Sequence, residues 1–379
     1  MRRGPLAGLR VVEMAGLAPG PFAAMMLADM GAEVLRIDRP EPAARPMPQQ
    51  FWFTDRNRRS IAIDLKRPEG VALARRLVGR SDALIEGFRP GVMERLGLGP
   101  PECLALNPRL IYGRMTGWGQ DGPLAQSPGH DINYIALAGA LDSIGPADGP
   151  PVAPLNLVGD FGGGGMYLAF GIVCGLLEAA RSGRGQVIDA AMVDGAASLM
   201  TYFYGYMAGG KWPGRGRGSL GGAAPHYGVY ETKDGGHVSV GAAEPKFYAE
   251  LLRLTGLDSE PLPDRTDPAN WPALRERFAA VFRTRTRDEW NALMAQAEVC
   301  FAPVLDLREA AAHPHNVARG TFIEVDGHVQ PAPAPRFSRT PGGAPQAGVP
   351  AGVDVHAALD GWGLDRGEID ALVGTGVLA

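Results

Sequence analysis

The sequence predicts an α/β protein: an open parallel sheet in a large domain, accompanied by a smaller α/β domain. Three observations carry this expectation. The chain has 379 residues, more than one ordinary core accommodates. From Leu9 to Met115, short β-rich apolar runs alternate with helix-like periodicity, the pattern of a parallel sheet. Two Gly- and Pro-rich stretches then break the pattern, as linkers do.

The elements follow in order. Leu9–Met14 is a β-rich run, and Gly16–Pro21 is a turn. Phe22 to Met30 has helical spacing, and Ala32 to Ile37 is a second strand ending in Asp38-Arg39-Pro40. This is a βαβ unit, and parallel sheets bind ligands at the carboxyl ends of such strands. Pro40 to Gln50 is Pro-rich and reads as a loop. Strands are expected at Ser60–Asp64, Ala83–Glu86 and Leu110–Met115, with a helix from Glu69 to Val78. The large domain is placed at 1–195, with its N-terminal part as the ligand-binding half. A linker at 196–225 follows, its Gly205–Ala224 portion dense in glycine with scattered arginine. The small domain is placed at 226–310. Residues 311–379 are read as a linker, including the Pro331–Gly352 stretch, and a return to the large domain.

Composition narrows the function classes. Hydrophobic residues at 45% and charged residues at 21% fit a soluble globular protein. A net charge of −4 with no Lys/Arg block gives no footprint for nucleic acid. Cys103, Cys174 and Cys300 lie far apart in apolar surroundings, so reduced, buried thiols and a cytoplasmic location are expected. Met1–Arg10 has no apolar run suited to a signal peptide, and the last four residues do not form a peroxisomal address. The apolar stretch Met166–Leu177 is shorter than the roughly 20 residues a bilayer requires, so a buried helix and no membrane partner are expected.

Three acid/base candidates stand out. His130, in Gly129-His130-Asp131-Ile132-Asn133-Tyr134, is of the one residue type that changes charge near neutral pH without environmental help. The bland reading, a histidine satisfied by local hydrogen bonds, is the commoner fate of a lone imidazole. Asp160 precedes the glycines 162–165. It suits an N-cap, but four glycines cost more backbone entropy than capping requires, and they point to a ligand near the backbone. Glu244 precedes Pro245, where an acid is favoured at a helix start on structural grounds alone. Arg39, Arg89 and the Arg58/Arg59/Lys66 group are cations near strand ends, each ordinary as a solvated charge. Neither a Gly-x-Gly-x-x-Gly fingerprint nor a Walker loop is present.

Taken together these motifs resemble a known family. Gly31-Ala32-Glu33-Val34, the run from Asn57 through Lys66, Phe88-Arg89-Pro90-Gly91-Val92-Met93 and Thr116-Gly117-Trp118-Gly119-Gln120 are similar to the class III CoA-transferase (CaiB/BaiF-like) superfamily. Residues 129–134, 156–165 and 241–248 resemble the α-methylacyl-CoA racemases within it. The resemblance implies the class III CoA-transferase fold in an interlocked homodimer, an acyl-CoA substrate, and no metal or cofactor beyond the substrate's own CoA moiety. It implies that His130 with Glu244 serves one face of the substrate α-carbon and Asp160 the other. It further implies CoA contacts at Arg39, Ile63, Asp64, Leu65, Lys66, Arg89, Gly129, Asp131, Ile132, Asn133 and Tyr134. The expected activity is racemisation of 2-methylacyl-CoA in lipid metabolism. The alternative within the family is a CoA-transferase working through an Asp160 adduct. Outside it stand an NADP-dependent dehydrogenase with Arg39 on the 2′-phosphate, which lacks its fingerprint here, and a CoA-binding scaffold, which leaves the three acid/base residues unexplained.

Overall fold

A computed structural model describes residues 3–41, 47–350 and 352–379. Met1 and Arg2 of the N-terminal stretch, and 42–46 of the expected Pro40–Gln50 loop, lie outside them.

Six strands form one sheet: β1 (Arg10–Met14), β2 (Glu33–Asp38), β3 (Arg58–Ala62), β4 (Ala83–Glu86), β5 (Ile111–Thr116) and β6 (Gln186–Ala191). Their order is β3-β2-β1-β4-β5-β6, and every pairing is parallel. The inner strands are buried on both faces, which is why Val11-Val12 and Leu84-Ile85 read as continuous apolar runs instead of alternating. One face packs Leu73, Leu77, Leu359, Trp362 and Leu378 into the first core, and the other packs Ala23, Leu27, Leu168 and Ile172 into the second. Each such aliphatic side chain contributes about 1.5–3 kcal/mol on burial.

β6 was not expected from the sequence. It is an edge strand with its first residues half open to solvent, and Gln186 and Asp189 break the apolar pattern. The antiparallel hairpin β10 (Phe322–Val325) and β11 (His328–Pro331) falls in the segment expected as linker. Its turn, Asp326 (φ 48) and Gly327 (φ 75), takes the left-handed conformations that an Asp-Gly pair accommodates.

Two compact units result: residues 1–140, 154–201 and 322–379 form one, and 141–153 with 202–321 the other. Within the second, β7 (Tyr227–Glu231), β8 (His237–Gly241) and β9 (Phe301–Val304) make an antiparallel sheet beside a core of Tyr230, Phe278, Phe282 and Trp290. Arg215 ties the 141–153 excursion into this unit through Asp142 Oδ1 (2.8 Å) and the Gly149 carbonyl (2.8 Å). The expected linker at 196–225 is helical up to Ala208.

Two further expectations need correction. Cys174 and Cys300 are exposed, and only Cys103 is buried. The apolar stretch counted as Met166–Leu177 is part of a longer helical run, Leu157–Ser182, that by length and composition could cross a membrane. Its two faces differ. Leu168, Ala169, Ile172 and Ala179 pack into the second core, while Met166, Phe170 (69% exposed), Val173 and Leu177 form an open apolar stripe.

Candidate active site

Parallel order reverses between β1 and β4, so the loops leaving those strands diverge and open a crevice at their carboxyl ends. A cavity of about 790 Å³ occupies that position. It is lined by the ends of the strands and the residues that follow them: Met14–Pro21 from β1, Asp38 and Arg39 from β2, Ile85 and 87–90 from β4, 115–118 from β5, and Met192 after β6. Gly129, His130, Asn133, Tyr134 and Asp160 close it. The cavity therefore brings together seven of the fourteen residues predicted for the site.

His130 is held by its neighbours. Its backbone N–H donates to Asn133 Oδ1 (3.1 Å) as the helix Asp131–Leu137 begins, and the Tyr134 hydroxyl donates to the Gly129 carbonyl. Tyr134 stands edge-on to Trp118 at 4.8 Å. Gly117 makes room for that ring, since a Cβ there would lie 2.0 Å from Tyr134 Cε1. Asn133 and Tyr134, predicted as CoA contacts, thus also fix the turn that presents the imidazole.

Asp160 sits in a π-helical segment, Leu157–Gly165, where Phe161 N–H bonds back to Asn156 O (3.3 Å). Such segments are uncommon and concentrate at functional sites. The Asn156 amide donates to Asp160 Oδ2 (3.0 Å), and the Asp160 N–H donates to Asp131 Oδ1 (2.7 Å). Burial pushes the Asp160 carboxyl above its ordinary value, and the Asp131 charge pushes it further. The Asn156 hydrogen bond and the His130 imidazole act the other way. Among the described residues, Asp131 Oδ2 and Trp118 Nε1 are buried without a hydrogen-bond partner beside this cavity.

The glycines after Asp160 serve a purpose other than the one expected. A Cβ at Gly163 would lie 2.6 Å from Ala196 N, and one at Gly165 2.8 Å from Pro19 O. They allow helices Pro19–Asp29 and Met192–Leu199 to pack against the Asp160 segment, so protein backbone approaches them, not ligand.

The remaining predicted residues lie apart from the cavity lining. Ile63 is buried and pairs with Leu378, and Leu65 packs on the first core. Asp64 Oδ1 accepts the Lys66 N–H (3.0 Å). Asp131 stands behind Asp160, and Ile132 is exposed on the helix. Glu244 belongs to the other unit, where it is the exposed N-cap of helix Pro245–Thr255. Arg58, read as a candidate ligand cation, is buried at the start of β3 in ion pairs with Glu13 and Asp55 (2.5 Å to the latter). Arg59 pairs with Glu33.

Sequence reasoning missed the Asp131 carboxylate and the Asn156 amide as partners of Asp160, because neither contact follows from periodicity. It also missed Ala18, a cavity residue with φ 47 and no glycine to mark it.

The role of Asp131 gives a pH prediction. Asp160 is faced by Asp131, His130 and the neutral Asn156 and Tyr134. Asp131→Asn keeps an acceptor for the Asp160 N–H and removes the charge that raises its carboxyl. Any proton abstraction by the Asp160 carboxylate is lost as pH falls through its pKa, so the acidic limb of such a reaction moves to lower pH in the variant. An unmoved limb in a pH–exchange profile would show that Asp131 does not tune Asp160.

A sequence profile of CoA-transferase family III matches residues 6–355. The chain is 49% identical over 339 residues to alpha-methylacyl-CoA racemase of Mus musculus, covering 89% of this chain and 87% of that protein. It is 46% identical over 338 residues to alpha-methylacyl-CoA racemase of Homo sapiens, with 89% and 87% covered. A crystal structure of a CAIB/BAIF family protein from Brucella suis superposes with a TM-score of 0.82 at 28% identity, covering 95% of this chain and 99% of that one.

Proposed function

The chain belongs to CoA-transferase family III, and from its likeness to the mammalian racemases we propose that it is an isomerase interconverting (2R)- and (2S)-2-methylacyl-CoA thioesters. The observation that carries this reading is the meeting of His130 and Asp160 in one cavity whose rim bears Arg39 and Arg89.

Racemisation removes a weakly acidic α-proton and returns one on the opposite face. Two acid/base groups on opposite sides of that carbon meet the need, one holding the proton that the other lacks. Asp160, raised by burial, lies closer to neutrality than a solvated aspartate and can both take and return a proton. Asn156 occupies its Oδ2, which leaves Oδ1 for the substrate. His130 serves the other face. The enolate oxygen requires fixed donors, and the amides of the glycine segment, lying inside a helix, are not free for this. Arg39 and Arg89 bind CoA phosphates far from the reacting carbon. Met14, Met115 and Met192 line the cavity and give the acyl chain a deformable apolar wall.

Proton transfer of this kind needs no metal and no cofactor beyond the CoA moiety of the substrate. A cytoplasmic homodimer of interlocked chains without a membrane partner completes the reading. The open stripe of Met166, Phe170, Val173 and Leu177 is a surface that a second copy would cover.

The purified enzyme is expected to epimerise either 2-methylacyl-CoA epimer, with solvent deuterium entering the α-position, in the absence of any free acid. Turnover only on adding an acceptor carboxylic acid, with an Asp160 adduct trapped by hydroxylamine, would replace the racemase by a CoA-transferase.

A further inference from the structure

Arg89 reaches the cavity from a short loop, residues 87–91, between β4 and the single helical turn Val92–Arg95. Both ends of that loop are tied to one side chain. Arg114, on the neighbouring strand β5, donates from Nε to Glu86 Oε1 (2.8 Å) at the end of β4. The same guanidinium donates from Nη1 to Glu94 Oε1 (2.8 Å) and from Nη2 to Glu94 Oε2 (3.3 Å), beyond the loop. Glu86 Oε2 in turn accepts the Phe88 N–H (2.8 Å) inside the loop. Gly91, at φ 83, permits the reversal, and the Gln126 amide holds the Pro90 carbonyl at 3.1 Å.

Glu86 is fully buried and Arg114 nearly so. Stability alone is a poor reason for such a triad, because desolvating the charges offsets much of their attraction and apolar residues would pack as well. Geometry is the better reason.

We infer that Arg114 is a positioning residue for acyl-CoA binding: it staples both ends of the 87–91 loop, so that Arg89 stands at the cavity rim before the substrate arrives. This rests on the reading of Arg89 as an anchor for CoA phosphates. A loop ordered in advance loses less conformational freedom on binding, and one long side chain's worth of ordering corresponds to about tenfold in affinity.

The test compares Arg114→Gln, Glu94→Gln, Arg89→Ala and the Arg89→Ala/Arg114→Gln double variant. Arg114→Gln is expected to raise KM for 2-methylacyl-CoA about tenfold with kcat within about twofold, the signature of lost ground-state binding. Glu94→Gln removes one arm from a half-exposed position without stripping Glu86 of its cation, and should raise KM about threefold. The double variant should be no worse than Arg89→Ala. An acyl thioester of N-acetylcysteamine, which carries no phosphate, should be turned over equally by wild type and Arg114→Gln.

A normal KM in Arg89→Ala would overturn the anchoring reading itself. Raised KM in Arg89→Ala, with normal values in Arg114→Gln and Glu94→Gln, would overturn the staple alone. So would multiplicative losses in the double variant, or equal losses with the phosphate-free thioester. Should Arg114→Gln fail to fold, Glu94→Gln and its combination with Arg89→Ala decide the question on the same criteria.

Discussion

His130→Ala is expected to abolish racemisation while leaving α-proton exchange intact for one epimer, and Asp160→Ala to give the mirror pattern. A full cycle needs a carrier on each face of the α-carbon, but exchange with solvent on one face needs only one. With both side chains in the same cavity, each variant keeps the other side chain in place. The loss of racemisation should be about 10²–10⁴-fold, the usual worth of a positioned acid or base. Measuring deuterium uptake into each pure epimer separates the cases, and normal racemisation by His130→Ala would make the imidazole structural.

Arg58→Met should produce the largest loss of stability. Arg58 and Glu13 are both 0% exposed, and Arg58 also pairs with Asp55, which holds Arg36 Nη1 at 2.7 Å. Arg36 Nε completes the chain to Asp38 at 2.6 Å, on the edge of the cavity. Removing one member leaves carboxylates buried without their cation, which costs about 3–5 kcal/mol. Burial already raises the Glu13 carboxyl despite Arg58 and Arg36, so protonation of Glu13 offers partial relief. The thermal midpoint should fall by on the order of ten degrees. Arg59→Met, one residue along the same strand and partly exposed, should stay within about 0.5 kcal/mol. Similar losses in both variants would show that the buried network carries no special weight.

Legibility in the sequence followed burial. The inner strands β1, β2, β4 and β5 were readable because burial on both faces demands unbroken apolar runs. The edge strand β6 was not, since a half-solvated strand can keep Gln186 and Asp189. For β10 and β11 the Asp326-Gly327 signal was present but lay beside a Pro-rich stretch. At the site, residue chemistry alone left His130 and Asp160 weighed against bland roles, and family motifs decided between them. Asp131 and Asn156 gained their significance only when a π-helical segment turned toward the start of another helix. Arg58 misled because its charge is visible in the sequence while Glu13 and Asp55 opposite it are not. The glycine run misled because a close backbone approach can be made by protein as readily as by ligand.

The larger unit recruits its final pieces from the far end of the chain. Trp362 is fully buried in the first core and donates to Glu33 at 3.2 Å, Ala379 hydrogen-bonds Ala62, and Arg56 holds both Asp29 and Gln330. During synthesis, residues 202–321 emerge between the sheet and these closing pieces. At ribosomal speed that interval is roughly 6 to 24 seconds, far longer than the time small domains take to fold. The nascent sheet therefore waits with the Trp362 site open and Arg56 only partly engaged, a window in which a chaperone or a neighbouring nascent chain can occupy the vacant apolar surface.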